Sequence, residues 1–362
     1  MNIAYKQNSY QFLFKGPVTL VGNDMERFFL FGCWNREGCE KNENLSKVIK
    51  KLKTDDFDFG IIAGDNVYPI VNIDQGGTKQ KYYDPKISDA GYACLMRNIS
   101  KPMFWVLGNH DVDSCEVALR QVQKNDVSFQ KNDDKQTIVA GKLIFPNNYY
   151  NFVSNLANFI FIDTNLFDKD TNCYAGIDWK VELDSMLNWV NDVLGKSKST
   201  WNIIVGHAPI GGFRTKGIRM LIGYEKLLNI LQRHGNKNLI YMCADIHNFQ
   251  YLTIIRNEFI LPVIVSGTGG ALPDLKEKYS NTVEAQIDDI KLNLIQLQDS
   301  YGYVVVKMNN DNFNFVYKNI SGKEWEYNIE SKPLQRGGAN FKRYQRYKDR
   351  YQLLSNLGDI IG

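Results

Sequence analysis

Four short loops in this chain carry side chains of the types that can bind metal ions: Gly64-Asp65-Asn66-Val67-Tyr68, Gly108-Asn109-His110-Asp111, Gly206-His207 and Asp245-Ile246-His247. Each follows an apolar run of strand length, and three of the chain's four histidines fall within them. Two cations held a few ångströms apart would supply what hydrolysis of a phosphate ester needs at neutral pH: a nucleophilic hydroxide and relief of the substrate's negative charge. A lone Gly-Asp at a strand end is commonly just a turn. The clustering of His110, His207 and His247 at such ends is what gives the loops weight.

The elements that must position these loops are legible as alternating strands and helices. Apolar runs recur at Phe28–Phe31, Phe59–Ala63, Met103–Leu107, Tyr150–Val153, Phe159–Ile162, Ile203–Val205, Leu239–Cys243 and Val263–Val265, and they suit strands buried on both faces. Helical spacing appears in Leu45-Val48-Ile49-Leu52, in Val181-Leu183-Met186-Leu187-Val190-Leu194 and in Tyr224-Leu227-Leu228-Leu231. Strand alternating with helix predicts a layered α/β fold, with function gathered at the carboxyl ends of the strands. Tyr303–Met308 and Phe313–Tyr317, joined by a polar turn, predict an antiparallel hairpin, expected at the edge of a second sheet. Asp113–Gly141 and Asp274–Gln298 are polar and weakly patterned, and are expected to be surface loops.

At 362 residues, with 44% hydrophobic and 23% charged residues, the composition is that of a globular protein with a large core. A formal charge of +3 sets up no global attraction to nucleic acid or anionic lipid. The six cysteines form no tight framework, and three lie in or beside apolar runs where reduced thiols pack as small hydrophobes. A reducing compartment is therefore expected. Without a secretory pattern at Met1–Lys6 or an apolar stretch of membrane-spanning length, the expected location is cytoplasmic.

From about Phe28 to about Gly270 the chain resembles the calcineurin-like metallophosphoesterases, most closely their purple-acid-phosphatase branch. Besides the ligand loops, the resemblance includes Phe145-Pro146-Asn147-Asn148-Tyr149-Tyr150, Phe161-Ile162-Asp163-Thr164, Trp201 through Pro209, His247-Asn248-Phe249-Gln250 and Val265-Ser266-Gly267-Thr268-Gly269-Gly270. It implies a four-layer α/β/β/α sandwich of two mixed β-sheets flanked by helices, with metals held between loops at one end. It also implies roles. Asp65 would bridge two metals, Tyr68 and His247 would complete the first, and Asn109 and His207 would serve the second. His110 would stabilise the phosphoryl group or protonate the leaving oxygen. The cofactors implied are two divalent or trivalent ions, iron, zinc or manganese, and a phenolate from Tyr68 favours trivalent iron. Asp163 and Thr164 are expected only to satisfy backbone groups.

Two ligand positions depart from the family. Where members carry Gly-Asp-Trp-Gly, this chain has Gly32-Cys33-Trp34-Asn35, so a thiol replaces the first metal's carboxylate and shifts preference toward zinc or ferrous iron. Where members carry Gly-His-x-His, this chain has Ala244-Asp245-Ile246-His247, so a short carboxylate replaces a ligand of the second metal and reaches the cation only through water unless the loop moves inward. A further histidine of low-mass members is also missing. Arg214 and Lys216 are nearby candidates for holding phosphate.

The expected organisation is an N-terminal extension over 1–26, a metallophosphoesterase domain over 27–330 and a basic, aromatic tail over 331–362. In the tail Phe341, Tyr344, Tyr347 and Tyr351 form a helical stripe that would dock on the body, or offer a contact for nucleic acid or an acidic partner. The expected function is an acid-phosphatase-like phosphomonoesterase acting on a small phosphorylated substrate through a metal-bound hydroxide. The alternative is a scaffold or binding protein that has lost turnover through Cys33 and Asp245.

Overall fold

Phe28 and Phe29 turn to opposite sides of one strand, as the two-residue period of a strand requires. Phe28 packs across to Phe159 of a second sheet with ring centroids 5.3 Å apart, while Phe29 meets Phe57 at 4.8 Å on the other face. That alternation sets the layering of the molecule. The structure, a computed structural model, describes residues 18–19, 25–73, 79–113, 118, 121, 128–132, 135–140, 142–168, 178–215, 217–274 and 284–332.

One sheet has seven strands in the order Glu324–Glu330, Asn312–Asn319, Gly302–Met308, Glu26–Phe31, Phe59–Ile62, Met103–Trp105 and Leu143–Ile144. The other has eleven, running Glu284–Ile287, Ile290–Gln298, Phe249–Arg256, Phe259–Ser266, Asn238–Cys243, Trp201–Val205, Ala157–Phe161, Tyr150–Val153, Val18–Thr19, Lys135–Ala140 and Ser128–Asn132. Between the sheets lies a core rich in aromatic rings, including Phe28, Phe59, Phe104, Phe152, Phe159 and Phe161. In the helix Glu43–Leu52 the buried residues are Leu45, Val48, Ile49 and Leu52, the spacing of a single helical face, and they join that core behind the seven-stranded sheet. Its first turn is capped by Asn42, whose Oδ1 accepts from the Leu45 amide at 2.9 Å. Behind the eleven-stranded sheet, the helices Trp179–Lys196 and Tyr224–Arg233 pack on the alternate residues Ile160, Ile204 and Tyr241. Two mixed sheets flanked by helices are the expected four-layer arrangement.

Several expectations need correction. Glu324–Glu330 forms a further strand outside the Gly302–Met308 and Asn312–Asn319 hairpin, so that hairpin is not the edge of its sheet. The segment read as a loop after Asp274 contains the strands Glu284–Ile287 and Ile290–Gln298, and the one after Asp113 contains Ser128–Asn132 and Lys135–Ala140. Backbone pairing with a neighbouring strand supplied what weak side-chain patterning did not show. Met103–Leu107 is strand only to Trp105, and Val181 is exposed rather than part of its helix's buried face.

The cysteine reading changes as well. Cys39, in the short helix Gly38–Lys41, is disulfide-bonded to Cys94 in the helix Pro85–Asn98. Fifty-five residues separate them, and only the fold brings them together. Cys33 and Cys243 are buried free thiols, whereas Cys115 and Cys173 lie outside the described residues. So do Lys216 and the aromatic stripe of the C-terminal tail. The strand Val18–Thr19, within the expected N-terminal extension, pairs in parallel with Tyr150–Val153 and Lys135–Ala140. Among the described residues, no helix is long and apolar enough to cross a membrane.

Candidate metal centre

Parallel pairing in register brings the loops to one end of both sheets. Phe31 pairs with Ile62 and Ile62 with Trp105 in one sheet, while Val205 pairs with Met242 in the other, so the residues that follow these pairs emerge side by side. The loops are then stitched together by their backbones. The Cys33 amide donates to Gly64 O at 3.0 Å, the Trp34 amide to Asp65 O at 3.3 Å, and the Ala244 amide to His207 O at 2.9 Å. Gly32 joins the two sheets by donating to Ser266 O at 2.8 Å.

Three residues at the centre, Cys33, Asp65 and Asp245, have positive φ, at 54°, 53° and 58°. Each costs on the order of 1–2 kcal/mol relative to an ordinary backbone. The other described non-glycine residues with positive φ, Asn257 and Asp288, lie in turns between paired strands. Strain concentrated where several polar side chains meet is a mark of a functional site. Gly64 adds a steric demand, since at φ 84° a Cβ there would sit 2.6 Å from His207 Nδ1 and 2.7 Å from the Gly108 nitrogen.

The side chains converge tightly. Single ligand atoms of Cys33, Asp65 and His207 all lie within 4.8 Å of one another, and all three residues are buried. His207 Nδ1 is 2.7 Å from Ala63 O, so that nitrogen donates to the carbonyl and Nε2 faces inward. Yet Nε2 is 3.2 Å from Asp65 Oδ1 and 4.0 Å from Asp245 Oδ1, with the Asn109 amide oxygen at 3.1 Å. A ring nitrogen facing carboxylate and amide oxygens calls for positive charge at that point, which a proton on Nε2 or a bound cation supplies, and the compact grouping with Cys33 is what fits a cation. His247 repeats the pattern. Its Nδ1 lies 3.0 Å from Leu272 O, and its Nε2 lies 3.3 Å from the Tyr68 hydroxyl. Burial, outweighing the neighbouring carboxylates, holds His247 below the usual imidazole range and keeps it in the neutral form that ligates. Burial, reinforced by Asp65 and by the adjoining Cys33, pushes the Tyr68 phenol well up. Burial and the charges of Asp65 and Asp245 likewise push the Cys33 thiol up, so each needs a nearby cation to ionise.

His110 stands at the rim of this cluster. Its amide donates to Asp65 Oδ1 at 3.1 Å, its Nδ1 lies 3.1 Å from Asp113 Oδ2, and its ring rests against Tyr68 with centroids 4.8 Å apart. Burial lowers its basicity, but the Asp113 hydrogen bond and the charges of Asp65, Asp113 and Asp111 outweigh that and hold it above the usual range. Asp111 lies beneath the loops. It accepts from the amides of Gly108 at 2.6 Å, Asn66 at 2.8 Å and Val67 at 3.0 Å, and from Gln121 Nε2 at 3.0 Å. Burial and the Asp65 charge push its carboxyl up to about 6 against these donors.

All seven positions expected to ligate metal, Cys33, Asp65, Tyr68, Asn109, His207, Asp245 and His247, thus gather at one end of the sandwich, with His110 beside them. Asp163, as expected, serves the backbone, capping the turn Thr164–Phe167 by accepting from the Asn165 amide at 3.0 Å. Arg219 was not legible in the sequence. It stands on the hairpin of Gly211–Arg214 and Gly217–Met220, and its Nε donates to Asp245 Oδ2 at 3.0 Å. Burial raises Asp245, but His207, Arg219 and Arg214 together hold its carboxyl below the usual range. Asp113 and Asp111 were quoted or adjacent in the loop motif without a role, and no spacing rule connects either to its partners.

Two mixed sheets with loops of ligand-type side chains gathered at their shared end define a metallophosphoesterase fold. The chain belongs to the calcineurin-like phosphoesterase family, whose sequence model matches residues 26–249. No curated protein sequence matches it. Among solved structures it is similar to GAP50, the anchor in the inner membrane complex of Plasmodium, at 19% identity and a TM-score of 0.61, covering 86% of this chain and 90% of that one. It is similar to the purple acid phosphatase PPD1 from yellow lupin (Lupinus luteus) seeds at 18% identity and a TM-score of 0.54. That match covers 84% of this chain and spans 54% of the lupin enzyme's length. A structure of PhoD is similar at 14% identity and a TM-score of 0.51, over 92% of this chain and 78% of that one.

Proposed function

We propose that this chain is a metal-dependent phosphoester hydrolase of the phosphomonoesterase type, acting on a small phosphorylated substrate. The observation that carries the reading is the convergence of buried ligand atoms from Cys33, Asp65 and His207 within 4.8 Å of one another, a grouping that fits a cation. Cys33, Asp65, Tyr68, Asn109, His207, Asp245 and His247 are the residues available to hold it. The Cys33 thiolate favours zinc or ferrous iron over harder ions. When bound, the cation supplies Lewis acidity, polarising phosphoryl oxygens and making water nucleophilic near neutral pH.

The chain's own groups do the rest. Asp65 orients the His110 backbone by accepting its amide, and Asp113 holds the imidazole by its Nδ1. That leaves Nε2 to present a proton to the leaving oxygen, a role that the pairing with Asp113 sustains at neutral pH. The buried walls formed by Cys33 and His207 limit water around the reacting group.

A second reading is favoured by the ion pair that ties Asp245 to Arg219 and by the similarity in fold to an anchor protein. On that reading the fold persists as a scaffold without turnover. Hydrolysis of a chromogenic aryl phosphate by the zinc-, iron- or manganese-loaded chain decides between them. The enzyme reading expects turnover that falls about 10²- to 10⁴-fold in His110→Ala and is abolished in Asp65→Asn. Bound metal without turnover at any pH supports the scaffold. The Cys39–Cys94 disulfide favours folding in an oxidising compartment, against the cytoplasmic location expected from the sequence.

A further inference from the structure

By the family resemblance Asp245 stands where a histidine would serve a second metal, and it is already held in an ion pair. One of its oxygens, Oδ2, accepts from Arg219 Nε at 3.0 Å, while Oδ1 faces His207 Nε2 at 4.0 Å. The carboxylate is only 8% exposed, while the Arg219 side chain is 36% exposed and reaches in to it from the surface. A guanidinium cannot lose its charge and binds carboxylate through directed N–H bonds, so it neutralises this site permanently. The ligand atoms of Cys33, Asp65 and His207 form a group compact enough for one ion.

Counting charge leads to the same place. Asp65, Asp245 and a metal-bound Cys33 thiolate bring three negative charges into a buried centre, and one divalent ion with Arg219 balances them, with the charge of Arg214 acting on Asp245 as well. A second divalent ion would leave an uncompensated excess in a site with little solvent to relieve it. Resting on the metal-centre reading above, we infer that the centre holds a single zinc-like cation among Cys33, Asp65 and His207, and that the guanidinium of Arg219, anchored on Asp245, stands in for the second. The hairpin Gly211–Met220 is the device that delivers this built-in cation, since Arg219 pairs across it with Gly212 and reaches Asp245 from there.

The test is a metal count. The purified full-length chain is stripped with a chelator, equilibrated with excess zinc, desalted, and measured by inductively coupled plasma and native mass spectrometry. The wild type is expected to retain one zinc. The double variant Arg219→Ala, Asp245→His, which removes the guanidinium and restores an imidazole, is expected to retain two. Two zinc ions in the wild type overturn the inference while leaving the metal-centre reading intact, and so does a folded double variant that still retains one. No zinc in the wild type overturns the metal-centre reading itself, and this inference with it. The wild-type count needs no variant, so a double variant that fails to fold leaves the inference exposed to it.

Discussion

Asn66 donates to Asp111 twice, from its backbone amide at 2.8 Å and from its side-chain Nδ2 at 2.9 Å. The remaining side-chain oxygen of Asn66 accepts from the Trp34 indole at 3.0 Å. Three loops that arrive from three different strands are thereby locked to one another under the metal centre, all within the protein interior. Removing the acceptor would strand the buried amides of Gly108, Asn66 and Val67, each at a cost of about 1–3 kcal/mol. Asp111→Ala is therefore expected to lose at least about 3 kcal/mol of stability, read as a lower urea midpoint, and to bind zinc poorly. A midpoint equal to that of the wild type would show that Asp111 is not the keystone.

Gly64 tests the close approach of the loops. Its φ of 84° and the 2.6 Å that would separate a Cβ from His207 Nδ1 leave no room for a side chain. Gly64→Ala is expected to displace His207 from Ala63 O and to weaken zinc binding at least tenfold, equal to about 1.4 kcal/mol. Calorimetric titration with zinc measures this directly, and unchanged affinity would mean that the loop adapts.

The disulfide ties the segment following Cys33 to the helix Pro85–Asn98. Closing a loop across a separation of 55 residues restricts the unfolded chain by about 4 kcal/mol in the loop-entropy account. Cys39→Ser with Cys94→Ser is expected to lower the urea midpoint by a corresponding amount, as is prior reduction of the wild type. Peptide mapping without reductant should recover the Cys39 and Cys94 peptides joined, and their recovery as free thiols would contradict the pairing.

Glu26 gives stability a pH dependence far from the metal centre. Burial pushes its carboxyl up from 4.5, against hydrogen bonds from the Ser154 hydroxyl at 2.6 Å and the Leu156 amide at 3.2 Å. Between 4.5 and the raised value the folded chain keeps a proton that the unfolded chain has released, so stability falls as pH rises through that window and levels off above it. Glu26→Gln removes this slope while keeping an acceptor for Leu156. Stability of the variant relative to wild type is expected to grow with pH across the window. Urea midpoints from pH 4 to about 8 measure it, and parallel curves would rule the effect out.

Much of this protein was readable residue by residue. Apolar runs such as Phe28–Phe31 and Ile203–Val205 announce buried strands because a strand covered on both faces has no polar side to show. The loops that follow them were legible because ligand-type residues are conspicuous after such runs. What escaped were elements stabilised chiefly by pairing. Glu324–Glu330 presents Trp325, Tyr327 and Ile329 to the core between exposed charges, and it counts as a strand only beside Asn312–Asn319.

Local order along the chain determined which residue types could meet a metal and on which loops they would stand, because side-chain chemistry and strand periodicity are properties of short segments. Tertiary structure alone decided that Cys39 would find Cys94, that Asp111 would hold up the Asp65 loop, and that Asp245 would be matched to Arg219. Those pairings join residues that no period connects, and their energy comes from burial and charge balance, which exist only once the sheets have closed around them.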